Sequence, residues 1–222
     1  MRGTRIAEQV TAIAPALIGL SECQPCQTLI DQMPEGYELV TEERAGVNAA
    51  YDSSLWRVDD HGFLTLGGND DGWGERVALW VEFEEVGSGA PVLFYSTHWC
   101  VSVRNPDDAC DVARHLDYAQ KILDHARWRA SSSTPVIITG DLNAAEGRDD
   151  DAVPRAFADA GYIDALRAIE PDGDIITLDE GIRVDYVFGS TPVVVLDAYV
   201  DESVPFELGS DHWPVIATFE FP

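Results

Sequence analysis

The chain has 222 residues, of which 45% are hydrophobic and 24% are charged. This composition supports a packed core and excludes a disordered chain, and the length fits one domain spanning residues 1–222. Asp and Glu total 40 against 14 Lys and Arg, and the net charge of −26 argues against a broad DNA-binding face. An acidic surface that keeps the protein soluble is the simplest explanation of this charge.

No apolar run reaches the length of a membrane span, because TAIAPALIGL near the start is short and interrupted by Pro15. No basic leader precedes an apolar segment. Of the four cysteines, Cys23 and Cys26 form a CxxC pair, whereas Cys100 and Cys110 bracket a loop that a disulfide would close in an oxidising compartment. Free thiols remain the alternative, so the sequence is compatible with a cytoplasmic and with a secreted protein.

Helix and strand patterns alternate along the chain. A first helix is predicted where Ile6, Val10 and Ile13 share one face, followed by strands at ALIGL, YDSSLWRV, ERVALWVEF and PVLFYSTHW. A long helix is predicted over 111–130, then the strand PVIITG and a short helix, VPRAFADA, that ends at Gly161. Three further strands, RVDYVFG, VVVLDAYV and VIATFEF, complete a pattern typical of an α/β layered sandwich.

Polar residues stand at the boundaries of these predicted strands. Strand ends are rigid and gather at a common edge of a sheet, so we expect these side chains to meet in one cleft. Taken singly, each has a plainer explanation as a turn residue, a helix cap or a buried histidine. Together, four acids, two histidines and one amide are the inventory of a metal-assisted hydrolytic site. The seven residues are Glu22, His98, Asp141, Asn143, Asp185, Asp211 and His212.

The residue types fit phosphoryl transfer. A hard divalent cation such as Mg²⁺ prefers carboxylate oxygens, which Glu22 and Asp211 are expected to supply. The Asp141 carboxylate would take a proton from an attacking water, while the Asn143 amide would contact a phosphate oxygen without adding negative charge.

The second histidine needs a partner for the same chemistry. His212 would act on the scissile phosphate if a carboxylate fixed its tautomer, and Asp185 is the candidate for that contact. Asp185 has a plainer alternative, an ion pair with the neighbouring Arg183.

The chain resembles the endonuclease/exonuclease/phosphatase superfamily in five motifs, GLSE, STHW, TGDLNA, RVDYVF and SDHWPV, and the resemblance covers essentially its whole length. Deoxyribonuclease I and exonuclease III-type nucleases are among the proteins to which this superfamily is similar. The resemblance implies a four-layered α/β sandwich, with two packed mixed β-sheets flanked by helices. It also implies Mg²⁺ or Mn²⁺ at Glu22 with Asp211 close by, Asp185 supporting His212, and His98 contacting the phosphate or the leaving group.

Two departures from the family pattern matter. The motif GLSE has Ser21 where the family usually has Gln. The pattern also predicts that the chain begins with a helix, so we expect it to lack the opening strand of the family and the Asn of that strand. The alternative to an enzyme is therefore a non-catalytic or truncated family member that acts as a binding module. An acidic calcium-binding protein is the weakest alternative, because the sequence contains no D-x-D-x-D-G loop.

The resemblance implies the type of bond that is hydrolysed, but it does not identify the substrate that contains the bond. We expect a phosphate ester: nucleic acid, a small phosphodiester or a lipid head group. A single lysine disfavours a duplex nuclease, whereas Arg104, Arg148 and Arg183 are predicted in loops that flank the cleft and would bind a phosphate. Trp73 in GGNDDGWGER is predicted at the rim, and Asn48 is a further residue placed near the site.

Overall fold

The computed structural model describes residues 2–68, 72, 74–101, 110–147, 151–204 and 210–221. The helices in these ranges are α1 (Arg2–Ile13), α2 (Cys26–Ile30), α3 (Val112–Arg129), α4 (Ala152–Asp159) and α5 (Ala165–Ile169). The strands are β1 (Leu17–Leu20), β2 (Tyr37–Leu39), β3 (Asn48–Asp52), β4 (Trp56–Gly67), β5 (Arg76–Glu85), β6 (Pro91–His98), β7 (Val136–Asp141), β8 (Tyr162–Asp164), β9 (Asp185–Ser190), β10 (Val194–Val200) and β11 (Val215–Glu220).

Six strands form a mixed sheet in the order β4-β5-β6-β7-β9-β8. Strands β6 and β7 run parallel, and the other neighbours in this sheet run antiparallel. The second layer of sheet is built from two antiparallel pieces, the three strands β1-β3-β2 and the pair β10-β11.

Three apolar clusters separate four layers. One cluster lies between the six-stranded sheet and the helices α3 and α4, and includes Tyr95, Tyr118 and Phe157. A second cluster, with Phe83 and Phe94, fills the space between the two layers of sheet, and a third joins the small sheet to α1 and α2. The predicted four-layered α/β sandwich, with two packed layers of sheet between helices, is therefore confirmed.

One predicted strand was wrong. YDSSLWRV is two strands, because β3 ends at Asp52 and β4 begins at Trp56. The Asp52 carboxylate accepts hydrogen bonds from the Ser54 amide at 2.9 Å and the Ser54 hydroxyl at 2.6 Å, and this local turn ends the strand. Within the described ranges α1 is the first element. No helix in these ranges is long and apolar enough to cross a membrane.

Candidate functional site

Three polar side chains stand level with one another at one edge of the six-stranded sheet. The β6–β7 ladder pairs His98 with Asp141, and the β7–β9 ladder pairs Asp141 with Asp185. Asp141 has the same parity along its strand as Ile137, which belongs to the cluster between the two layers of sheet. The row formed by these three side chains therefore faces the interior of the sandwich at its open edge.

The glycine in the TGDLNA motif allows this close arrangement. A Cβ atom at Gly140 would lie well inside the van der Waals radius of the Thr97 carbonyl oxygen on β6. Without a side chain at this position, the two strands approach closely where both end. As a result, Nε2 of His98 lies 3.5 Å from Oδ2 of Asp141.

Asn143 holds the carboxylate of Asp141 in place. The Asn143 backbone N–H donates to Oδ1 of Asp141 at 2.9 Å, and its Nδ2 donates to Oδ2 at 3.3 Å and to the Trp99 carbonyl oxygen at 3.0 Å. The φ angle of +49° that aims the amide back at Asp141 is one that Asn adopts more readily than most residues. The two-residue spacing of Asp and Asn thus lets one residue orient the other.

His212 approaches the row from the segment before β11. A β-bridge between Leu178 and His212 fixes its backbone, and the Ser210 hydroxyl accepts a hydrogen bond from its N–H at 3.1 Å. Nδ1 of the ring lies 2.8 Å from Oδ2 of Asp185, and Nε2 lies 3.9 Å from Oδ2 of Asp141. The imidazole therefore bridges the two carboxylates.

The pKa values of Asp141 and His212 both differ strongly from the ordinary values of these side chains. Burial raises the pKa of Asp141 to about 8, and the charges of Asp185 and Glu22 contribute to that rise. Burial alone would lower the pKa of His212, but the hydrogen bond and charge of Asp185, then the charges of Asp141 and Asp211, raise it to about 9. Both pKa values are therefore shifted upward, so that Asp141 and His212 tend to keep their protons at neutral pH.

The two predicted metal ligands lie at the margin of this group. Glu22 is exposed, follows β1 with a φ of +52°, and acts on Asp141 through its charge. Asp211 is also exposed and acts on His212 in the same way. The described contacts thus join five of the seven predicted residues, and the charges of Glu22 and Asp211 reach the same group.

The donor set fits a hard divalent cation. One ligand atom each from Asp141, Asp185 and His212 lie within 4.8 Å of one another. Oxygen-rich carboxylate clusters suit Mg²⁺ and Mn²⁺, and a cation would oppose the burial and the charge of Asp185 that together raise the pKa of Asp141.

A model of the endonuclease/exonuclease/phosphatase family matches residues 2–212. The chain belongs to the endonuclease/exonuclease/phosphatase family. No curated protein matches the sequence. The family fold recurs in solved structures that resemble this chain over nearly its whole length.

Three of these structures illustrate the likeness. A mannosyl-6-phosphatase of Bacteroides thetaiotaomicron is 18% identical, with a TM-score of 0.74, over 99% of this chain and 91% of its own. The human Nocturnin catalytic domain with a bound sulfate anion is 17% identical, with a TM-score of 0.74, over 100% and 86%. D. rerio TDP2 complexed with single-strand DNA product is 14% identical, with a TM-score of 0.75, over 99% and 91%. At these identities the likeness shows a shared fold.

Arg183 does not flank the cleft of this family member, so that prediction was wrong. Its side chain is 1% exposed, and its guanidinium donates to Asp164 at 2.7 Å and to both carboxylate oxygens of Glu146 at 3.5 Å. Its Nε donates to the main-chain oxygen of Asp185 at 3.5 Å, and its ion pairs within the described part of the chain are with Glu146 and Asp164. Arg183 is occupied inside the protein, beneath the strand that carries Asp185.

Glu146 completes a partly buried ion network, centred on the buried Arg183, that sequence reasoning missed. Arg167 binds Glu146 through two hydrogen bonds of 2.8 and 2.7 Å, and the Glu146 N–H donates to the Arg183 carbonyl oxygen. Burial would raise the pKa of Glu146, but the hydrogen bond of Arg167 and the charge of Arg183 lower it. The network ties the segment after Asn143 to the start of β9, and an acid three residues beyond GDLN was its only signal in the sequence.

Of the remaining predicted residues, the described ranges include Asn48, which pairs with Leu20 two residues before Glu22. Asn48 is fully buried and its Nδ2 donates to the Thr41 carbonyl oxygen at 2.6 Å, a contact that stabilises the loop before β3. Arg104, Arg148 and Trp73 lie outside the described residues.

A disulfide joins Cys100 and Cys110 directly beside the site. The Cys100 carbonyl oxygen lies 2.9 Å from Nε2 of His115 on α3. The chain from His98 to Cys100 is therefore anchored on one side to Asn143, through the Trp99 carbonyl oxygen, and on the other side to α3.

Proposed function

We propose that the protein is a divalent-metal-dependent hydrolase of phosphoester bonds, either a phosphodiesterase of the nuclease type or a phosphatase. The observation that carries this proposal is the row His98, Asp141 and Asp185 with His212 bridging its two acids. Acid–base chemistry needs such pairs of titratable groups held at fixed distances, and perturbed pKa values are typical of functional sites. The family match to residues 2–212 supports the same class of reaction.

Asp141 is the proposed base. Its carboxylate is buried and is oriented through both oxygens by Asn143, and a cation bound beside it would oppose the rise in its pKa and favour the ionised form that a base requires. The contacts of Asn143 support an orienting role for its amide, and its contact with a phosphate oxygen stays a prediction.

His212 is the proposed cationic partner of the phosphate. Asp185 holds Nδ1, so the protonated Nε2 points to the space beside Asp141, where negative charge develops during hydrolysis. His98 approaches the same carboxylate from β6 at 3.5 Å, and we assign it to the phosphate or the leaving oxygen.

Glu22 and Asp211, the ligands predicted from the sequence, are the proposed ligands of Mg²⁺ or Mn²⁺. The neighbouring group of Asp141, Asp185 and His212, whose ligand atoms lie within 4.8 Å of one another, would offer further carboxylate oxygens. Bound there, the cation would polarise the phosphoryl group and neutralise its oxygens. The exposure of both ligands leaves room for the waters that Mg²⁺ usually keeps.

A compact phosphate ester is the proposed substrate. Nucleic acid, a small phosphodiester and a lipid head group all present the required bond, and the structures of similar fold include a phosphatase, a sulfate-bound domain and a complex with single-strand DNA. The net charge of −26 disfavours a long polyanion, and Arg183 is not available to attract one. We therefore favour a substrate with one or two phosphate groups.

The decisive test is hydrolysis of bis-p-nitrophenyl phosphate and p-nitrophenyl phosphate with Mg²⁺, with Mn²⁺ and with chelator. We expect metal-dependent turnover that is lost in Asp141→Ala and His212→Ala. Asp159→Ala and His61→Ala, two exposed positions, serve as matched controls and retain turnover. The preferred compound separates a diesterase from a monoesterase.

Absence of turnover in a folded wild-type protein with both metals would contradict the proposal. In that case a non-catalytic binding module would be the better description, and binding of Mn²⁺ without hydrolysis would favour it.

A further inference from the structure

Two free cysteines lie next to the proposed metal ligand Glu22. Cys23 follows Glu22 directly, and Cys26 begins α2. The Cys26 thiol donates to the Cys23 carbonyl oxygen at 2.8 Å, so the two residues lie in direct contact. The pair is therefore already assembled without a bond between the sulfur atoms.

The two thiols differ in access. Cys23 is half-buried, whereas Cys26 is fully buried in the cluster with Leu20 and Leu29. A reagent from solution can therefore reach Cys23 first, and Cys26 is the thiol positioned to resolve an adduct from inside. This division of roles is the one that intramolecular thiol–disulfide exchange requires.

The backbone at Glu22 and Cys23 packs against the loop that contains Gly46. The Cys23 N–H donates to the Gly46 carbonyl oxygen at 3.1 Å, and Glu22 has a φ of +52°, which is unfavourable for a residue with a side chain. A Cβ on Gly46 would lie 3.4 Å from the Cα of Glu22, so this loop packs directly against the ligand residue. A covalent bond at Cys23 would therefore act on the position of Glu22.

We propose that Cys23 and Cys26 are a modification site for low-molecular-weight disulfides, which convert the pair into an intramolecular disulfide that shifts Glu22. In the first step the Cys23 sulfur attacks the reagent RSSR, forms Cys23–S–SR, and releases RSH with the proton that Cys23 loses. In the second step the Cys26 sulfur displaces the second RSH and forms the Cys23–Cys26 bond. The protein loses two protons and two electrons, which reduce the reagent to two thiols.

The modification is tested by mass mapping. The protein, with both thiols reduced, is exposed to increasing hydroxyethyl disulfide, remaining thiols are blocked with N-ethylmaleimide, and the peptides are analysed. We expect a peptide that joins Cys23 to Cys26. In Cys26→Ala we expect a stable hydroxyethylthio adduct on Cys23, and in Cys23→Ala an unreacted Cys26 because that thiol is buried.

The buried Cys100–Cys110 disulfide is the internal reference, and its peptide should not change during the titration. Continued labelling of Cys23 by N-ethylmaleimide at excess hydroxyethyl disulfide would overturn the proposal. A missing adduct in Cys26→Ala would overturn it as well, and the melting temperature verifies that each variant is folded.

The shift of Glu22 is tested without relying on catalysis. Hydrogen exchange of the peptide around Cys23 should accelerate several-fold on oxidation, since its N–H bond to Gly46 would be strained. Unchanged exchange in a fully oxidised protein would overturn this part.

The consequence for activity rests on the proposed function. We expect a several-fold higher Mg²⁺ concentration for half-maximal turnover after oxidation, and no change in the Cys23→Ala/Cys26→Ala variant. If the reduced wild type hydrolyses no ester, the proposed function fails, while peptide mapping and hydrogen exchange still decide the disulfide.

Discussion

His212 and Asp185 are joined by a hydrogen bond of 2.8 Å between Nδ1 and Oδ2, and this bond determines which ring nitrogen faces Asp141. Because Nδ1 is engaged, Nε2 lies toward the Asp141 carboxylate, at 3.9 Å from Oδ2. The same bond keeps the imidazole charged in a partly buried position, since the negative charge of Asp185 opposes the effect of burial.

Substitution Asp185→Asn should lower the turnover number and shift the pH profile. Without the carboxylate, burial dominates and the pKa of His212 falls below its wild-type value of about 9. The alkaline limb, where His212 loses its proton, should move to lower pH, and turnover should fall by about 100-fold or more. Profiles of kcat and kcat/KM against pH measure both effects.

The matched control is Asp197→Asn, an exposed acid on β10 that should leave the profile unchanged. An alkaline limb that stays in place in Asp185→Asn would show that His212 is not the group that titrates there.

Substitution Asp141→Asn should abolish turnover and stabilise the protein in chelator. The folded-state pKa of Asp141, about 8, lies above its ordinary value, so folded protein binds more protons and loses stability as pH rises from about 4 to 8. Asn cannot ionise and removes that loss. A gain of about 1 kcal/mol corresponds to ~2–4 °C in melting temperature for a domain of this size.

Thermal melts of both proteins at pH 5 and pH 8, with chelator and with Mg²⁺, provide the measurement. The difference should be larger at pH 8 and smaller with Mg²⁺, and Asp159→Asn is the exposed control. Equal melting temperatures of the wild type and Asp141→Asn at pH 8 in chelator would show that ionisation of Asp141 does not destabilise the folded protein.

Much of the fold follows from local patterns in the sequence. Long elements such as α3 and β5 have strong periodicity, and Asp111 caps α3 by accepting a hydrogen bond from the Arg114 N–H. Short elements such as β2, β8 and α5 escaped prediction, because three to five residues carry too little periodicity. The break between β3 and β4 was missed since it depends on side-chain contacts of Asp52.

The site could be predicted as a group because each member stands at a strand boundary. The partners of its members could not be predicted. That Asn143 would hold Asp141 depends on a backbone angle, and that Arg183 would turn inward depends on Glu146 and Asp164, which are remote in sequence. Such contacts form only when the strands are in register.

Substitution Gly140→Ala should damage stability and activity together. The added methyl group would overlap the Thr97 carbonyl oxygen on β6, so the strands must separate where Asp141 and His98 meet. We expect a loss of roughly 3 kcal/mol or more in the free energy of unfolding, measured by urea titration. Gly68→Ala is the control, because a Cβ atom there meets nothing within 4 Å. A wild-type midpoint in Gly140→Ala would contradict the close approach of the two strands.

Substitution Arg183→Met should destabilise the protein through its buried acids. Removing the guanidinium leaves Asp164 without its 2.7 Å ion pair and weakens the hold on Glu146, which costs about 3–5 kcal/mol for a buried pair. The start of β9, where Asp185 lies, should become less ordered. We therefore expect kcat to fall by a larger factor than the factor by which KM rises. Arg57→Met, which removes an exposed ion pair with Glu84, should cost ~0–1 kcal/mol. Similar losses in the two variants would argue against the network.

Removal of the Cys100–Cys110 disulfide should lower kcat as well as stability. The bond and His115 anchor the chain from His98 to Cys100, whose Trp99 carbonyl oxygen accepts from Asn143. We expect Cys100→Ala/Cys110→Ala to lose ~2–4 kcal/mol in the free energy of unfolding. Turnover should fall with little change in KM, because the loss is in alignment of the acid–base groups. The comparison is made in a background that carries Cys23→Ala and Cys26→Ala, so that reductant acts on one pair. In that background, reduction of the Cys100–Cys110 disulfide should lower turnover as the double substitution does. An unchanged kcat in the folded Cys100→Ala/Cys110→Ala variant would show that Asn143 is aligned without the disulfide.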